Sequence, residues 1–208
     1  SYHMYHQDRP NAEQALREAQ LGLSSERLPL MVAKCYEVMG RAFDAENLYL
    51  SACKSDPDNL FLDRQLAAFY LTGRNGYQRS ERIAKATPLL NDILRFQAEG
   101  KVPEDNVNVV WARRTAATLL ANTGDYQNLR KAENLLASNS KDGLLPLTDR
   151  LQMAQILAPR PEPVSRQKAM TLLEEAKEAD RLNLSAELML GQLYYALGDW
   201  PKCRQQML

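Results

Sequence analysis

A chain of 208 residues, 45% hydrophobic, with 26 basic residues balanced by 26 acidic ones, can bury a sizeable core as one array or as two small domains. The neutral balance argues against a protein whose main task is holding phosphate backbones, which leave a basic footprint. The only histidines, His3 and His6, stand in the opening segment, so the body from Asn11 onward lacks the imidazole of Ser-His-Asp, Cys-His and His-ligated metal sites.

Residues 1–10, SYHMYHQDRP, have no apolar signal core and read as a tag remnant or disordered start. If the chain is a cut piece of a longer protein, a native signal peptide or anchor could have been removed with the rest. No run approaches the roughly 18 apolar residues of a membrane span. Cys35, Cys53 and Cys203 lack paired C-x-x-C spacing and sit in helical patterns rich in Ala and Leu, as small apolar residues do. They favour a reducing compartment such as the cytoplasm, with a Cys35–Cys53 pair left open and localisation undetermined. Neither G-x-G-x-x-G nor G-x-x-x-x-G-K-[ST] occurs, and carboxylates are scattered beside Lys and Arg as on solvated helix faces. The expectation is no catalytic, cofactor-binding or metal site.

A short phrase recurs along the chain: DAENLYL from Asp44, KATPLL from Lys85, KAENLL from Lys131 and KAMTLL from Lys168. Its alanines, Ala45, Ala86, Ala132 and Ala169, with Cys203 in the same place, are separated by 41, 46, 37 and 34 residues, and Ala12 precedes Ala45 by 33. Ahead of each marker runs another helical pattern, closed by Gly40, Gly73, Gly124 and Gly198, or by Pro159 to Pro163 in the fourth copy. The predicted elements are therefore a partial unit over 11–25, with a lone second helix from Asn11 to Leu23, and helix-turn-helix units over about 26–59, 60–106, 107–143, 144–182 and 183–208. Pro88 predicts a kink or restart in the helix that begins near Ser80, whose tail through Phe96 reaches beyond a standard unit. No alternating strand pattern occurs, so the expected class is all-α, with residues 11–208 as one repeat domain.

The residues carry a resemblance. Leu190, Gly191 and Tyr194 followed by Gly198-Asp199-Trp200, and, from Glu26 to Asn59, Val32-Ala33 with Tyr36, Ala45 with Tyr49 and Asp56-Pro57, fit the pattern of the tetratricopeptide repeat. Leu66-Ala67 with Tyr70, Ala116-Ala117 with Leu120, and Met153-Ala154 with Leu157 give further copies. The chain resembles a divergent, bacterial-looking member of that family over nearly all of Ala12 to Leu208. It departs from the pattern where Pro29, Asp63, Arg113, Arg150 and Glu187 take the place of the family tryptophan, and where turns and the tail from Asn91 to Asn106 are lengthened. Gly191, Ala33, Ala67, Ala117 and Ala154 are then one small position where the helices of a hairpin meet, opposite Ala45, Ala86, Ala132, Ala169 and Cys203.

The resemblance implies a right-handed superhelical α-solenoid and a non-catalytic scaffold that binds a partner peptide or helix in a concave groove lined by first helices. The residues expected there are Lys34 and Glu37, then Phe61, Arg64 and Ala68, then Trp111, Arg114 and Thr118, then Gln155, and finally Gln192 with Tyr195. Phe61 and Trp111 either form an aromatic step beside Arg64 and Arg114, suited to an acidic and apolar peptide, or pack against the preceding second helix. The Lys-x3-Asn and Lys-x3-Arg pattern of members that grip chaperone tails is unmatched, since Val38, Ala68 and Thr118 follow Lys34, Arg64 and Arg114 by four residues. Chaperone C-terminal tails are thus disfavoured as partners. The alternative, a helical-repeat binder of single-stranded RNA, needs an even period that the unequal spacing and neutral charge oppose. Self-association through incompletely capped ends is a third possibility.

Overall fold

A computed structural model describes residues 28–73, 75–141, 143–178 and 182–207. The expected lone helix from Asn11 to Leu23, the marker Ala12 and the two histidines lie outside the described residues. The chain divides into two compact units, 1–103 and 104–208. The first holds α1 (Leu28–Val38), α2 (Ala42–Ser55), α3 (Leu60–Leu71) and α4 (Arg79–Ala98). The second holds α5 (Val107–Ala121), α6 (Tyr126–Ala137), α7 (Leu147–Leu157), α8 (Pro163–Glu178), α9 (Leu184–Leu197) and α10 (Trp200–Met207). Among the described residues there is no strand, and no helix is long and apolar enough to cross a membrane.

Helices pack chiefly in successive pairs, α1 with α2, α3 with α4, α5 with α6, α7 with α8 and α9 with α10. The turns follow from local chemistry. At the end of α9, Gly198 takes φ +80°, its amide donates to the Tyr195 carbonyl at 3.1 Å, and the Asp199 amide donates to the Tyr194 carbonyl at 2.9 Å. That pair of bonds satisfies the last helical carbonyls and needs a left-handed residue, which glycine adopts without a Cβ penalty. Helices start with equal economy: the side chains of Asn59, Asn106, Asp125 and Asn183 accept amide protons at the starts of α3, α5, α6 and α9.

Small residues set how closely the helices approach. Ala33, Ala67, Ala117 and Ala154 on first helices, and Ala45, Ala86, Ala132 and Ala169 on second helices, are fully buried, and Gly191 is buried on α9. Cys203 packs against the same core from α10. In the second unit these positions join Leu136, Leu157, Leu173 and Leu190 in one apolar cluster. A stack of this kind gains its stability between neighbours, because no hairpin covers its own apolar face.

Polar ties join one hairpin to the next, and the lysine of the recurring phrase explains two of them. Lys85 lies just before Ala86, and Lys202 just before Cys203. Lys85 donates to Glu46 at 3.1 Å, and Tyr70 and Tyr77 donate to the same carboxylate at 2.8 and 2.6 Å. Burial alone would raise the Glu46 carboxyl, and the bonds from Tyr77, Tyr70 and Lys85 outweigh it and hold the group below its ordinary value. Lys202 and Tyr194 close on Glu174 in the same way, at 2.7 and 2.9 Å. Lys131 and Lys168, whose first helices carry Leu120 and Leu157 where the others have tyrosine, are exposed. There Glu133 is met instead by Arg160, so a carboxylate one residue past the marker is again answered by a cation from the next hairpin.

Helix α4 is continuous from Arg79 to Ala98 with Pro88 inside it, so the expected restart does not occur, while the long tail through Phe96 does. Pro88 and Ala84, whose carbonyl loses its amide partner, are both exposed, so the freed carbonyl is on the side of the helix that solvent can reach. The conformational cost of the proline remains. Pro88→Ala is expected to raise the stability of the first unit by about 1–3 kcal/mol, read as a higher urea midpoint; an unchanged or lower midpoint would show that the ring makes contacts the helix needs.

The three cysteines are free thiols, and burial, with Asp63 adding to it, pushes Cys53 up to about 11. Asp63 on α3 is 9% exposed. Burial first, and the charge of Asp92 second, push its carboxyl up to about 6. A carboxyl raised in the folded state binds protons more tightly there than in the unfolded chain. The stability it contributes is therefore fully present below its ordinary value of 3.8 and is lost as pH rises through 6. Asp63→Asn should stabilise the first unit at pH 7.5 by about 1–3 kcal/mol, since each tenfold change in proton affinity corresponds to about 1.4 kcal/mol. The gain should shrink towards pH 4.5, and urea titrations at both values check it.

Candidate functional site

Each unit exposes the first-helix face opposite its buried stripe. In the first unit, α1 carries Lys34 and α3 carries Phe61, Arg64 and Ala68 on that side. Lys34 is held at 2.9 Å by Glu37, and that buried carboxylate also accepts the Tyr49 hydroxyl at 3.2 Å. Glu37 is therefore a structural acceptor and offers a partner little. Phe61 is 47% exposed at the start of α3, fixed there by the Asn59 side chain, which accepts the Phe61 amide at 3.2 Å. Phe61 borders an open groove of about 930 Å³ with Met31 of α1 and with Ser51, Ala52 and Ser55 of α2. The ring thus stands beside the preceding second helix with nearly half its surface still open. Met31, 49% exposed, belongs to this apolar edge although it was not among the expected groove residues; its place three residues before Lys34 on the same helix face is the signal that would have found it.

In the second unit, Trp111, Arg114 and Thr118 follow one another along one face of α5, with Trp111 half-buried and Thr118 exposed. Arg114 is engaged. Its Nε and Nη2 donate to Oδ1 and Oδ2 of Asp149, both at 2.7 Å, and Asp149 is fully buried and also accepts the Asn139 amide at 3.1 Å. The hydrogen bond to Asp149, against the opposing effect of burial, raises the Arg114 guanidinium further above its ordinary value. This two-pronged pair ties α5 to α7 across a hairpin boundary. Arg113 is also buried, and its Nη1 donates to the Ser138 carbonyl at 2.9 Å, just past the C-terminus of α6. A cation there answers the carbonyl end of the helix dipole.

Gln152 continues the same edge, donating to the Arg114 carbonyl at 2.8 Å and to Thr118 Oγ1 at 2.7 Å. Beside it, Gln155, Thr118 and Asn122 with Leu129, Ile156 and Pro159 line a cavity of about 480 Å³. On α9, Gln192 and Tyr195 are exposed with Leu188, 52% exposed, four residues before Gln192 on the same face. Tyr195 meets Trp200 edge-on, with ring centroids 5.1 Å apart. Leu188 was not among the expected groove residues, although its helical spacing from Gln192 marks it. Phe61 belongs to the first unit and Trp111 to the second. Among the described residues no group of three or more His, Cys, Asp or Glu side chains is placed to hold a metal ion.

No protein-family model matches the chain, and no curated protein matches its sequence. Its fold is similar to a crystal structure of nearly identical TPR-like repeats from a Podosopora anserina putative kinesin light chain, with a TM-score of 0.58 at 17% identity, over 87% of this chain and 90% of that one. At that identity the similarity is one of fold, and the chain has the TPR-like helical-repeat architecture of an α-solenoid.

Proposed function

We propose that the chain is a divergent tetratricopeptide-repeat protein and a non-catalytic scaffold, and that the first-helix face of each unit forms a concave groove that receives a segment of a protein partner. The observation that supports this most is the exposure of Phe61, Leu188 and Tyr195, at 47%, 52% and 63%, on the side of the first helices that the repeat packing leaves free. Large apolar and aromatic side chains flanked by polar groups are the anchors from which interface hot spots are built. TPR-like folds generally serve protein interaction and carry no catalytic centre, in keeping with the residue types on these faces. The single-stranded RNA reading is not favoured, because binding a phosphate backbone calls for exposed unpaired cations, and Arg114 is committed to Asp149.

The test is affinity for a partner recovered by affinity purification and mapped to its shortest binding segment. Phe61→Ala and Tyr195→Ala are expected to weaken binding by about 2 kcal/mol each, the scale of an interface hot spot. Phe43→Ala, 74% exposed on the second helix α2, should leave it unchanged. The reverse pattern would move the partner to the second-helix side, and tight salt-sensitive capture of mixed-sequence RNA would favour the nucleic-acid reading.

A further inference from the structure

A buried arginine in the second unit has two donors idle. Arg160 stands in the turn between α7 and α8, is 6% exposed, and borders the cavity of about 480 Å³. Its Nη1 lies against Glu133 as an ion pair. Its Nε and Nη2 have no hydrogen-bond partner among the described residues, and both are closed to solvent. These two nitrogens form one edge of the guanidinium, the fork that matches the paired oxygens of a carboxylate. Arg114 uses the same edge on Asp149. Buried donors in folded proteins are paired, so a fork with both prongs idle calls for an acceptor from outside the chain.

The cavity supplies the rest of a small-molecule site. Leu129, Ile156, Pro159 and Pro161 line it with apolar surface, and Thr118 and Gln155 add polar groups. Its size falls in the range of roughly 300–1,000 Å³ that ligand pockets occupy, and such pockets are mostly apolar with a few placed polar groups. We infer that this cavity binds a small monocarboxylic acid, its carboxylate on Nε and Nη2 of Arg160 and its hydrocarbon body against Leu129, Ile156 and Pro159. The fork meets the ligand by a turn of the guanidinium about its Nη1 contact with Glu133. One negative charge suits the place. Arg160 and, at 3.8 Å, Arg130 both face Glu133, so two cations meet one carboxylate and a single charge is left to answer. A phosphate dianion or a dicarboxylate would bring a charge in excess of that, at a cost in desolvation. The site does not depend on the scaffold reading, and either can fail alone.

Titration of the purified, nitrogen-15-labelled chain with phenylacetate tests it, read on the arginine Nε–H signals by NMR. The Arg160 signal is identified by its loss in Arg160→Lys. It should shift and saturate with a Kd of about 10 mM or tighter, the floor that ligand efficiency sets for a molecule of this size. Phenylacetamide, which has the same shape without the charge, and acetate, which has the charge without the apolar body, should each bind about tenfold more weakly or worse. From butanoate to hexanoate each added methylene should tighten binding about fourfold. Arg160→Lys keeps the cation for Glu133 and loses the fork, so it should stay folded by circular dichroism and bind phenylacetate about tenfold more weakly. Gln155→Trp leaves the ion pair untouched and fills part of the cavity from an exposed position, so it too should weaken binding about fivefold or more. No shift of the Arg160 signal, equal affinity for phenylacetamide, inorganic phosphate binding as tightly as phenylacetate, or indifference to Gln155→Trp would each overturn the inference.

Discussion

Arg114→Glu is expected to destabilise the second unit by about 3–5 kcal/mol, enough to unfold a marginal domain. The new carboxylate would face Asp149, which is fully buried and has its two oxygens bonded to the Arg114 fork at 2.7 Å. Two like charges in one buried site cannot both remain ionised, and removing either partner of a buried pair strands the other. Arg114→Lys keeps the charge and loses the fork, so its cost should be smaller. Arg114→Met combined with Asp149→Leu should recover much of the loss, because an apolar pair of similar volume leaves no orphaned charge. Thermal unfolding by circular dichroism checks the series, and an unchanged midpoint in Arg114→Glu would show that the pair does not tie α5 to α7.

Gly191→Leu should cost about 3 kcal/mol, the upper end of the usual range for over-packing. Gly191 is buried on α9 beside Leu190 and Tyr194, which are 0% and 5% exposed, and Cys203 of α10 packs against the same cluster. A leucine there has to push the helices of the last hairpin apart. Gly191→Ala adds a single methyl and recovers about 1 kcal/mol of helix propensity, so its net effect should be far smaller. Equal midpoints for the wild type and the leucine variant would mean that the two helices do not meet at this residue.

These two positions mark how much the sequence alone reveals. Gly191 and the alanines around it were legible because packing of a repeat leaves the same small residue in each copy, and Gly40, Gly73, Gly124 and Gly198 were legible because a left-handed turn selects glycine; all four have φ between 72° and 80°. The pairing of Arg114 with Asp149 was not legible. The two residues are 35 apart in sequence, and their meeting depends on how far one hairpin is offset from the next, which residue types do not reveal. The restart expected at Pro88 does not occur for a related reason: a proline on an exposed helix face costs energy without ending the helix, since the carbonyl it frees lies on the exposed side. Leu188 and Met31 were within reach of the periodicity, since each lies one helical turn before an expected groove residue, Gln192 and Lys34.

Site-specific photocrosslinking tests the central claim most directly. Benzoylphenylalanine introduced in place of Phe61, Tyr195, Phe43 or Val164 puts a reactive group at four exposed sites, two on first helices and two on second helices, in an otherwise unchanged chain. With the purified partner present, the account predicts covalent adducts at 61 or 195, according to which unit's face the partner occupies, and none at 43 and 164. Adducts confined to 43 and 164 would contradict it.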